Sequence, residues 1–596
     1  MNILGVSCHY HDAAAALLRE GEVVAAAQEE RFSRKKHDAS FPRQAIGFCL
    51  RRGEIDAGAL DYVVFYEKPF QKFDRILRTT LHTYPRSWRS FGEAMIGWLD
   101  EKLWVKGQIQ EELGVDADRI LFTEHHLSHA ASAFFCSPFR EAAILTMDGV
   151  GEWTTATLGR GSADWGDGGS NRIDLFSEAR FPHSLGLLYS TFTAWLGFRV
   201  NNGEYKVMGM ASYGEPRYMD RLEEIVHLRA DGSFRLDLDY FAFQHSADRM
   251  YSDAFLGLFG NPREPESPFA TRSVEYESGL APSELEANQY YADVAASVQL
   301  FTEEAVLRTA RHLHESTGLR DLCMAGGVAL NSVANGRLLR EGPFDRVYVQ
   351  PAAGDAGGAV GAALYAWHVM LGEPRSYVMD APYLGESYPA DEVDRLLTDA
   401  GTPHERLDEA ALVERVVDAL ADGIVVALHQ GRFEWGPRAL GNRSILADPR
   451  RPEMKDVVNR KIKFREPFRP FAPVLPAEEA PRCFEGLGAP SASGGDDPGM
   501  TDFMLAVLPW REEVGERVPA VNHLGTGRLQ TVRREHNPTY YDIVSGFGER
   551  TGLPILLNTS FNLRGEPIVS TPGDALRTYR ASGIDLLVLG DTLVTR

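Results

Sequence analysis

At 596 residues, with 44% hydrophobic, 24% charged and 10% aromatic side chains, the chain is globular in composition and too long for one core, so two large domains or three smaller ones are expected. A formal net charge of −22 excludes a nucleic-acid or anionic-membrane surface spread over the whole protein and leaves room only for a local basic pocket. No apolar run reaches the ~18–20 residues that span a bilayer, and Met1-Asn2-Ile3-Leu4 enters an apolar segment with no charged leader. Cys8, Cys49, Cys136, Cys323 and Cys483 are scattered, with no CxxC pair, which argues against a disulfide scaffold or a zinc ribbon. The expectation is a soluble cytoplasmic protein in a reducing compartment.

In chain order, residues 2–7 read as an apolar strand and 12–18 as a second. Arg19-Glu20-Gly21 then turns into a third at 22–28. The pattern returns at 142–147, 154–159 and 173–179, and both units end alike, in Glu29-Glu30-Arg31-Phe32 and Glu178-Ala179-Arg180-Phe181. Such a repeat predicts duplicated α/β halves with a ligand cleft between them. Tyr291, Val294, Val298, Phe301 and Ala305 alternate three- and four-residue steps, an amphipathic helix closing near Gly318. A buried strand at 322–327 opens onto Gly326 and Gly327. A strand at 348–350 leads through a glycine-rich turn at 352–361 into an alanine-rich helix. Two strand–glycine–helix units in succession resemble the nucleotide-binding half of the actin-like ATPase superfamily. Pro374, Pro382 and Gly385 mark a break, giving domains 1–372 and 380–596; loops are expected at 161–171, 261–282 and 487–499.

The motifs that carry chemistry fall in both halves. Glu124-His125-His126-Leu127-Ser128-His129 places His125 and His129 four residues apart, on one face of a helix, where they can chelate a divalent metal. Asp148 and Asp355 are the best further ligands, since each ends a strand within a Gly-rich turn. Gly326, Gly327 and Asn331 follow a strand and precede a helix, where backbone can approach an anion. Lys206 stands where it can reach a phosphate from the facing side. Between Arg432 and Arg469 the chain holds eleven Lys or Arg against five Asp or Glu, a local excess of cations in an acidic protein. Arg438, Lys463, Arg465 and Arg469 interleave there with Gly, Pro and aromatics, which suits an oxyanion pocket. Asn558, Ser560, Asn562 and Arg564 end a later strand with amides, a hydroxyl and a guanidinium suited to a nucleotide phosphate. No P-loop and no GxSxG is present.

Several phrases taken together, His9-Tyr10-His11-Asp12-Ala13, Glu29–His37, His125–His129, Gly203–Gly209, Ala325–Asn331, Gly436–Gly441 and Ser560–Pro567, resemble the tobramycin-carbamoyltransferase-like O-carbamoyltransferases of antibiotic and nodulation-factor biosynthesis, the saxitoxin-pathway type most nearly. Phe65-Tyr66-Glu67-Lys68-Pro69 and Pro182–Gly186 add to the likeness. The resemblance covers nearly the whole chain; only the loop at 161–171 finds no match. It implies an α/β protein with an N-terminal actin-like domain and a C-terminal YrdC-like domain, whose Lys-x-Arg and Ser-x-Asn motifs match Lys463-Phe464-Arg465 and Ser560-Phe561-Asn562. By resemblance, carbamoyl phosphate and Mg2+-bound ATP would give carbamoyl-adenylate in the C-terminal pocket, with Arg528 joining its nucleotide set. The carbamoyl group would then pass to a small-molecule hydroxyl where Fe(II), or another divalent metal, is held by His125, His129, Asp148 and Asp355. His11, beside the first strand turn, could take the hydroxyl's proton. The partner is then a small-molecule acceptor, with neither nucleic acid nor membrane, and a homodimer is allowed. The rivals are a fused tRNA threonylcarbamoyladenosine synthase, which the acidic charge disfavours, an actin-like sugar kinase, and a nucleotide-sensing scaffold.

Overall fold

The computed structural model describes residues 1–100, 102–166, 170–272, 279–487 and 499–595. Its first sheet holds β1 (Asn2–Ser7), β2 (Ala14–Arg19), β3 (Glu22–Gln28), β4 (Tyr62–Phe65) and β5 (Ile120–Phe122), in the order β3-β2-β1-β4-β5. The first three form an antiparallel meander, and β4 and β5 run parallel to β1. The second sheet holds β6 (Glu141–Met147), β7 (Thr154–Ser162) and β8 (Arg172–Arg180). A small ribbon of β9 (Val226–Leu228) and β10 (Phe234–Leu236) follows, and β11 (Asp321–Ala325) and β12 (Arg346–Val349) complete that second sheet as β12-β11-β6-β7-β8. Its meander and its parallel strands match those of the first sheet in order and sense. The duplication read from the repeated strand–turn–strand phrases is therefore the architecture. β1, β6 and β11 are buried along almost their whole length, as continuous apolar runs between covered faces require.

Two helices packed between these sheets fix the position of the histidine pair. The helix His125–Phe134 packs against Gly357–Tyr365, and Gly361 makes the close crossing possible, because a methyl group there would collide with the Ser128 carbonyl. The long helix Pro282–Thr317 ends on Gly318 in the left-handed conformation (φ 67°), as the glycine stop predicts, but begins at Pro282 rather than near Tyr291. β2 starts at Ala14, because Asp12 at φ 52° belongs to the preceding turn. Of the expected loops, 163–166 and 261–272 carry no helix or strand, Gly161 and Ser162 extend β7, and 167–169, 273–278 and 488–498 lie outside the described residues. Residues 371–389 likewise carry no helix or strand.

The remaining strands are β13 (His404–Arg406), β14 (Val426–His429), β15 (Arg443–Ala447), β16 (Ala472–Pro476), β17 (Ala506–Pro509), β18 (Thr526–Val532), β19 (Leu556–Ser560), β20 (Leu586–Leu589) and β21 (Thr592–Thr595). They form one mixed sheet, β13-β21-β20-β14-β15-β19-β16-β18-β17. Leu428, Leu446 and Val588 face the helices Glu409–Ala421 and Pro538–Thr551 in a core of their own, while Ile445, Leu557 and Leu589 join the core that runs back through both N-terminal sheets. Phe433 seats against Phe32 and Phe48 across this junction. Arg31 Nη2 donates to the Gly436 carbonyl at 2.6 Å, and Arg34 donates to the carbonyls of Ile568 (2.7 Å) and Pro567 (2.9 Å). Among the described residues no helix is long and apolar enough to cross a membrane, and all five cysteines are buried and outside any disulfide.

Candidate functional site

A cavity of about 850 Å3 opens between the strand ends of the two N-terminal sheets and the C-terminal sheet. Its lining includes His11 with the carboxylates of Asp12, Asp148 and Asp355, and a second group made of Arg438, Lys463, Arg465, Arg469 and Arg528. Lys206, Gly327, Asn331, Asn558, Ser560, Asn562 and Arg564 also line it. Two clusters expected as separate pockets thus share a single space. His125 and His129 stand behind its wall, fully buried, and Gly326 does not line it. Gly326 serves the backbone instead: at φ 96°, any side chain would strike the Met147 carbonyl where β6 ends, next to Asp148.

His125 and His129 project from one face of their helix toward Asp148, just past β6, and Asp355, in the turn after β12. His125 Nε2 lies 3.0 Å from Asp148 Oδ2 and 3.7 Å from Asp355 Oδ1; His129 Nε2 lies 3.4 and 3.6 Å from the same two atoms. The two Nε2 atoms are 3.1 Å apart, and one donor atom from each of the four residues falls within 4.8 Å of the others. Asp355 is 1% exposed, yet neither of its oxygens has a hydrogen-bond partner. A buried carboxylate without donors is costly, and a cation among these atoms would compensate it. Two imidazoles and two carboxylates, with no thiolate, fit a hard or borderline divalent ion such as Fe(II), Mn(II) or Zn(II). Burial opposes charge on Asp148, but its hydrogen bonds to His125 and His129 win and hold it well below the carboxylate range. His126 turns away to the Thr146 hydroxyl (2.6 Å) and the Thr154 carbonyl (2.9 Å).

His11 sits above this cluster, with Nε2 3.8 Å from Asp355 Oδ2 and Nδ1 2.9 Å from Asp12 Oδ2. Burial would lower its pKa, but Asp355 and Asp12 outweigh it and raise the imidazole to about 9. Asp12 bridges to a second imidazole, His37 Nδ1, at 2.8 Å, and Glu30 accepts from the His37 backbone N–H at 2.9 Å. These three cavity residues were not singled out from sequence, although they stand inside the phrases His9–Ala13 and Glu29–His37. Also missed were two buried carboxylates behind the histidines. Glu67 Oε2 lies 3.6 Å from His125 Nδ1 and 2.6 Å from Lys72 Nζ, and Glu152 accepts from the His125 N–H at 3.0 Å. Only Phe65–Pro69 gave any sign of Glu67; nothing in the sequence singled out Glu152.

In the cationic group, Lys463 Nζ donates to Ser560 Oγ (3.1 Å), Asn562 Oδ1 (2.7 Å), and the Ser560 and Asn562 carbonyls. Burial first, then Arg465, Arg469 and Lys36, pushes this ammonium well below the lysine range. Arg465 is depressed in the same way, by burial and then by Arg469. It lies over the Phe471 ring at 4.3 Å and donates to Asn459 Oδ1 at 2.9 Å. Arg528, on β18, is depressed by burial and then by Arg438, Arg465 and Arg469. The Nε atoms of Arg438 and Arg528 are buried without a hydrogen-bond partner. Lys206 reaches across from the N-terminal half to Glu466 at 2.8 Å, and Arg469 Nη1 stands 3.6 Å from the same carboxylate. So many confined cations, with Glu466 paired among them, make a site for a polyanion. Arg564, by contrast, is half exposed and paired with Glu266, and the Asn331 side chain caps its own helix at the Ala334 N–H (3.1 Å).

The family model described as Carbamoyltransferase N-terminus matches residues 2–364, and Carbamoyltransferase C-terminus matches 417–596. An uncharacterized protein of Synechocystis sp. is 46% identical over 100% of this chain and 97% of its own length. The nodulation protein NolNO of Sinorhizobium fredii is 38% identical over 98% and 79%, and NolO of Bradyrhizobium diazoefficiens 39% over 79% and 78%. Among solved structures, component A of (R)-2-hydroxyglutaryl-CoA dehydratase from Acidaminococcus fermentans aligns with TM-score 0.31 at 13% identity, over 61% of this chain and 97% of its own. HypF from T. kodakarensis aligns with TM-score 0.32 at 16% identity, over 63% and 48%. With both halves matched and relatives collinear over most of its length, the chain belongs to the carbamoyltransferase family and is a carbamoyl-transferring enzyme.

Proposed function

We propose that this enzyme is an ATP-dependent O-carbamoyltransferase that makes carbamoyl-adenylate at the cationic end of the cavity and transfers the carbamoyl group to a small-molecule hydroxyl at the His/Asp end. The observation that carries the reading is the joining of the two clusters, one of carboxylates with His11 and one of cations, in one cavity of about 850 Å3. Carbamoyl phosphate and water give carbamate and phosphate. Carbamate oxygen then attacks the α-phosphorus of ATP, releasing pyrophosphate and leaving carbamoyl-adenylate. The acceptor oxygen finally attacks the carbamoyl carbon, AMP leaves, and the hydroxyl proton is taken up.

In this scheme Lys463, Arg465, Arg438 and Arg528 hold the phosphates and offset charge as it moves onto pyrophosphate. Ser560, Asn558 and Asn562 place that wall, with Lys463 tied to Ser560 and Asn562. His11 Nδ1 is engaged by Asp12, which leaves Nε2 as the nitrogen facing the transfer end; a divalent ion on Asp355 would offset the charge that raises the imidazole, and the neutral ring would then take the acceptor proton. A divalent ion, Fe(II) by family resemblance, held by His125, His129, Asp148 and Asp355 would supply Lewis-acid polarisation. Mg2+ enters with ATP. The acceptor is a small molecule in an aqueous compartment, with no nucleic acid involved.

The test separates the half-reactions. Carbamoyl-phosphate-dependent exchange of labelled pyrophosphate into ATP should vanish in Lys463→Ala and persist in His125→Ala. Chemically made carbamoyl-adenylate should restore transfer to the first variant and not to the second. Equal loss of exchange in both variants would overturn the division of labour.

A further inference from the structure

Beside the main cavity lies a recess of about 170 Å3, and Tyr10 is the one described residue that lines both. Apolar side chains such as Ile76 and Trp98 wall the recess, but its charges are mostly basic: Lys72, Arg75 and Lys102 against Glu67. Lys72 Nζ sits 2.6 Å from Glu67 Oε2, so that pair cancels. Arg75 is left as a guanidinium 8% exposed, with Nη1 buried and lacking a hydrogen-bond partner, and the Phe181 ring 5.1 Å away. Burial depresses it to about 10, so it stays charged at neutral pH. A charged fork held in a small, mostly apolar cavity with an unsatisfied N–H is poorly solvated by its own protein. Two oxygens of one ligand group would satisfy it with the geometry that guanidinium prefers.

The position of the recess identifies what carries those oxygens. Tyr10 lies beside His11, with ring centroids 4.6 Å apart and the planes tilted by 44°, and Glu67 in the recess wall lies 3.6 Å from His125. The cations of the adenylation end line only the larger cavity. Tyr10 thus stands between the recess at Arg75 and the cavity that His11 and Asp355 line. We propose that the recess binds a compact oxyanion group, a carboxylate or phosphate, borne by the hydroxyl acceptor, so that the enzyme selects anionic alcohols. This rests on the reading of the His/Asp end as the transfer site.

Selenate serves as the probe, located by anomalous scattering in crystals of the full-length protein. The expected result is one peak at Arg75 in the recess and another among Lys463, Arg465 and Arg528. Arg75→Met should remove the first and keep the second, and Arg75→Lys, which keeps the charge without the fork, should weaken the first. Selenate among the Lys463 cations with none at Arg75 in the wild type overturns the recess and spares the adenylation site; the reverse pattern overturns the adenylation site. The second arm asks whether the recess instead holds free phosphate released in the first step. Phosphate inhibition of pyrophosphate exchange should change less than twofold in Arg75→Met. A tenfold loss of that inhibition would assign the recess to free phosphate and overturn the acceptor assignment.

Discussion

Arg528→Met should make the protein more stable and the enzyme nearly inactive. Arg528 is buried on β18 with Nε unpaired, and Arg438, Arg465 and Arg469 add their repulsion to the cost of burial. Two like charges ~6 Å apart repel by about 3 kcal/mol at an effective dielectric constant of ~20. A base whose folded pKa lies below its unfolded value opposes folding wherever the unfolded chain holds it charged, which for arginine includes neutral pH. Methionine keeps much of the stem and discards the charge; apolar replacement of buried ionic groups is neutral to stabilising, by up to about 4 kcal/mol. The same change removes a preorganised cation from the developing pyrophosphate, a loss of about 3 kcal/mol or ~10²-fold in rate. Thermal unfolding in anion-free buffer, with and without ATP, reads the first effect, and carbamoyl-phosphate-dependent pyrophosphate exchange reads the second. The variant should melt no lower than wild type, respond less to ATP, and exchange ~10²-fold more slowly. A variant that melts lower and exchanges at the wild-type rate would refute the argument, because Arg528 would then be a structural cation with a missed partner.

The double change His125→Ala with His129→Ala should leave less than a tenth of a metal per chain by elemental analysis, with pyrophosphate exchange within twofold of wild type. Glu466 is pulled down to about 2 because Lys206 outweighs the opposing effect of burial, so its contribution is complete above the ordinary carboxylate pKa near 4.5 and fades as pH falls toward 2. Glu466→Gln should therefore flatten the acid limb of the urea-midpoint profile in that window, by up to about 3 kcal/mol. Gly361→Ala drives a methyl group into the Ser128 carbonyl, so it should cost at least about 1–3 kcal/mol and reduce bound metal by shifting the helix that carries both histidines.

What the sequence made legible was local or periodic. The HxxxH spacing placed His125 and His129 on one helical face, and Asp148 and Asp355 could be grouped with them because each follows a strand into a glycine turn. The duplicated sheets could be read because β1–β3 and β6–β8 are contiguous in the chain. Glu67, Glu152, Asp12 and His37 carried no such mark: each gains its meaning from a contact 25 to 84 residues away, at His37–Asp12, His125–Glu67, His125–Glu152 and Lys68–Glu152. The union of the two clusters in one cavity was also hidden, since it depends on Arg31, Arg34 and Phe433 clamping the C-terminal sheet onto the first helix. Gly326 misled for the opposite reason. Its place after a strand is the place of a phosphate loop, but the crowding it relieves is that of the Met147 carbonyl.

The charge layout of the cavity also gives a reason for keeping both reactions in one space. Carbamoyl-adenylate has a phosphate at one end of its reactive bond and a carbamoyl group at the other. In the proposed scheme Lys463, Arg465 and Arg528 would attract the phosphate, whereas Asp12, Glu30, Asp148 and Asp355 would repel it, so the field along the cavity would orient the ligand with its carbamoyl carbon toward His11. The Arg31 and Arg34 contacts join the N-terminal half to the C-terminal wall of the cavity. The orientation would depend on the carboxylates keeping a net negative field, and a divalent ion held by Asp148 and Asp355 would cancel part of that field where the proposed scheme brings the carbamoyl carbonyl. Metal occupancy would then act on transfer twice, by polarising the carbonyl and by lowering the electrostatic barrier to its approach. Raising salt should weaken the long-range orientation while leaving the short-range polarisation intact.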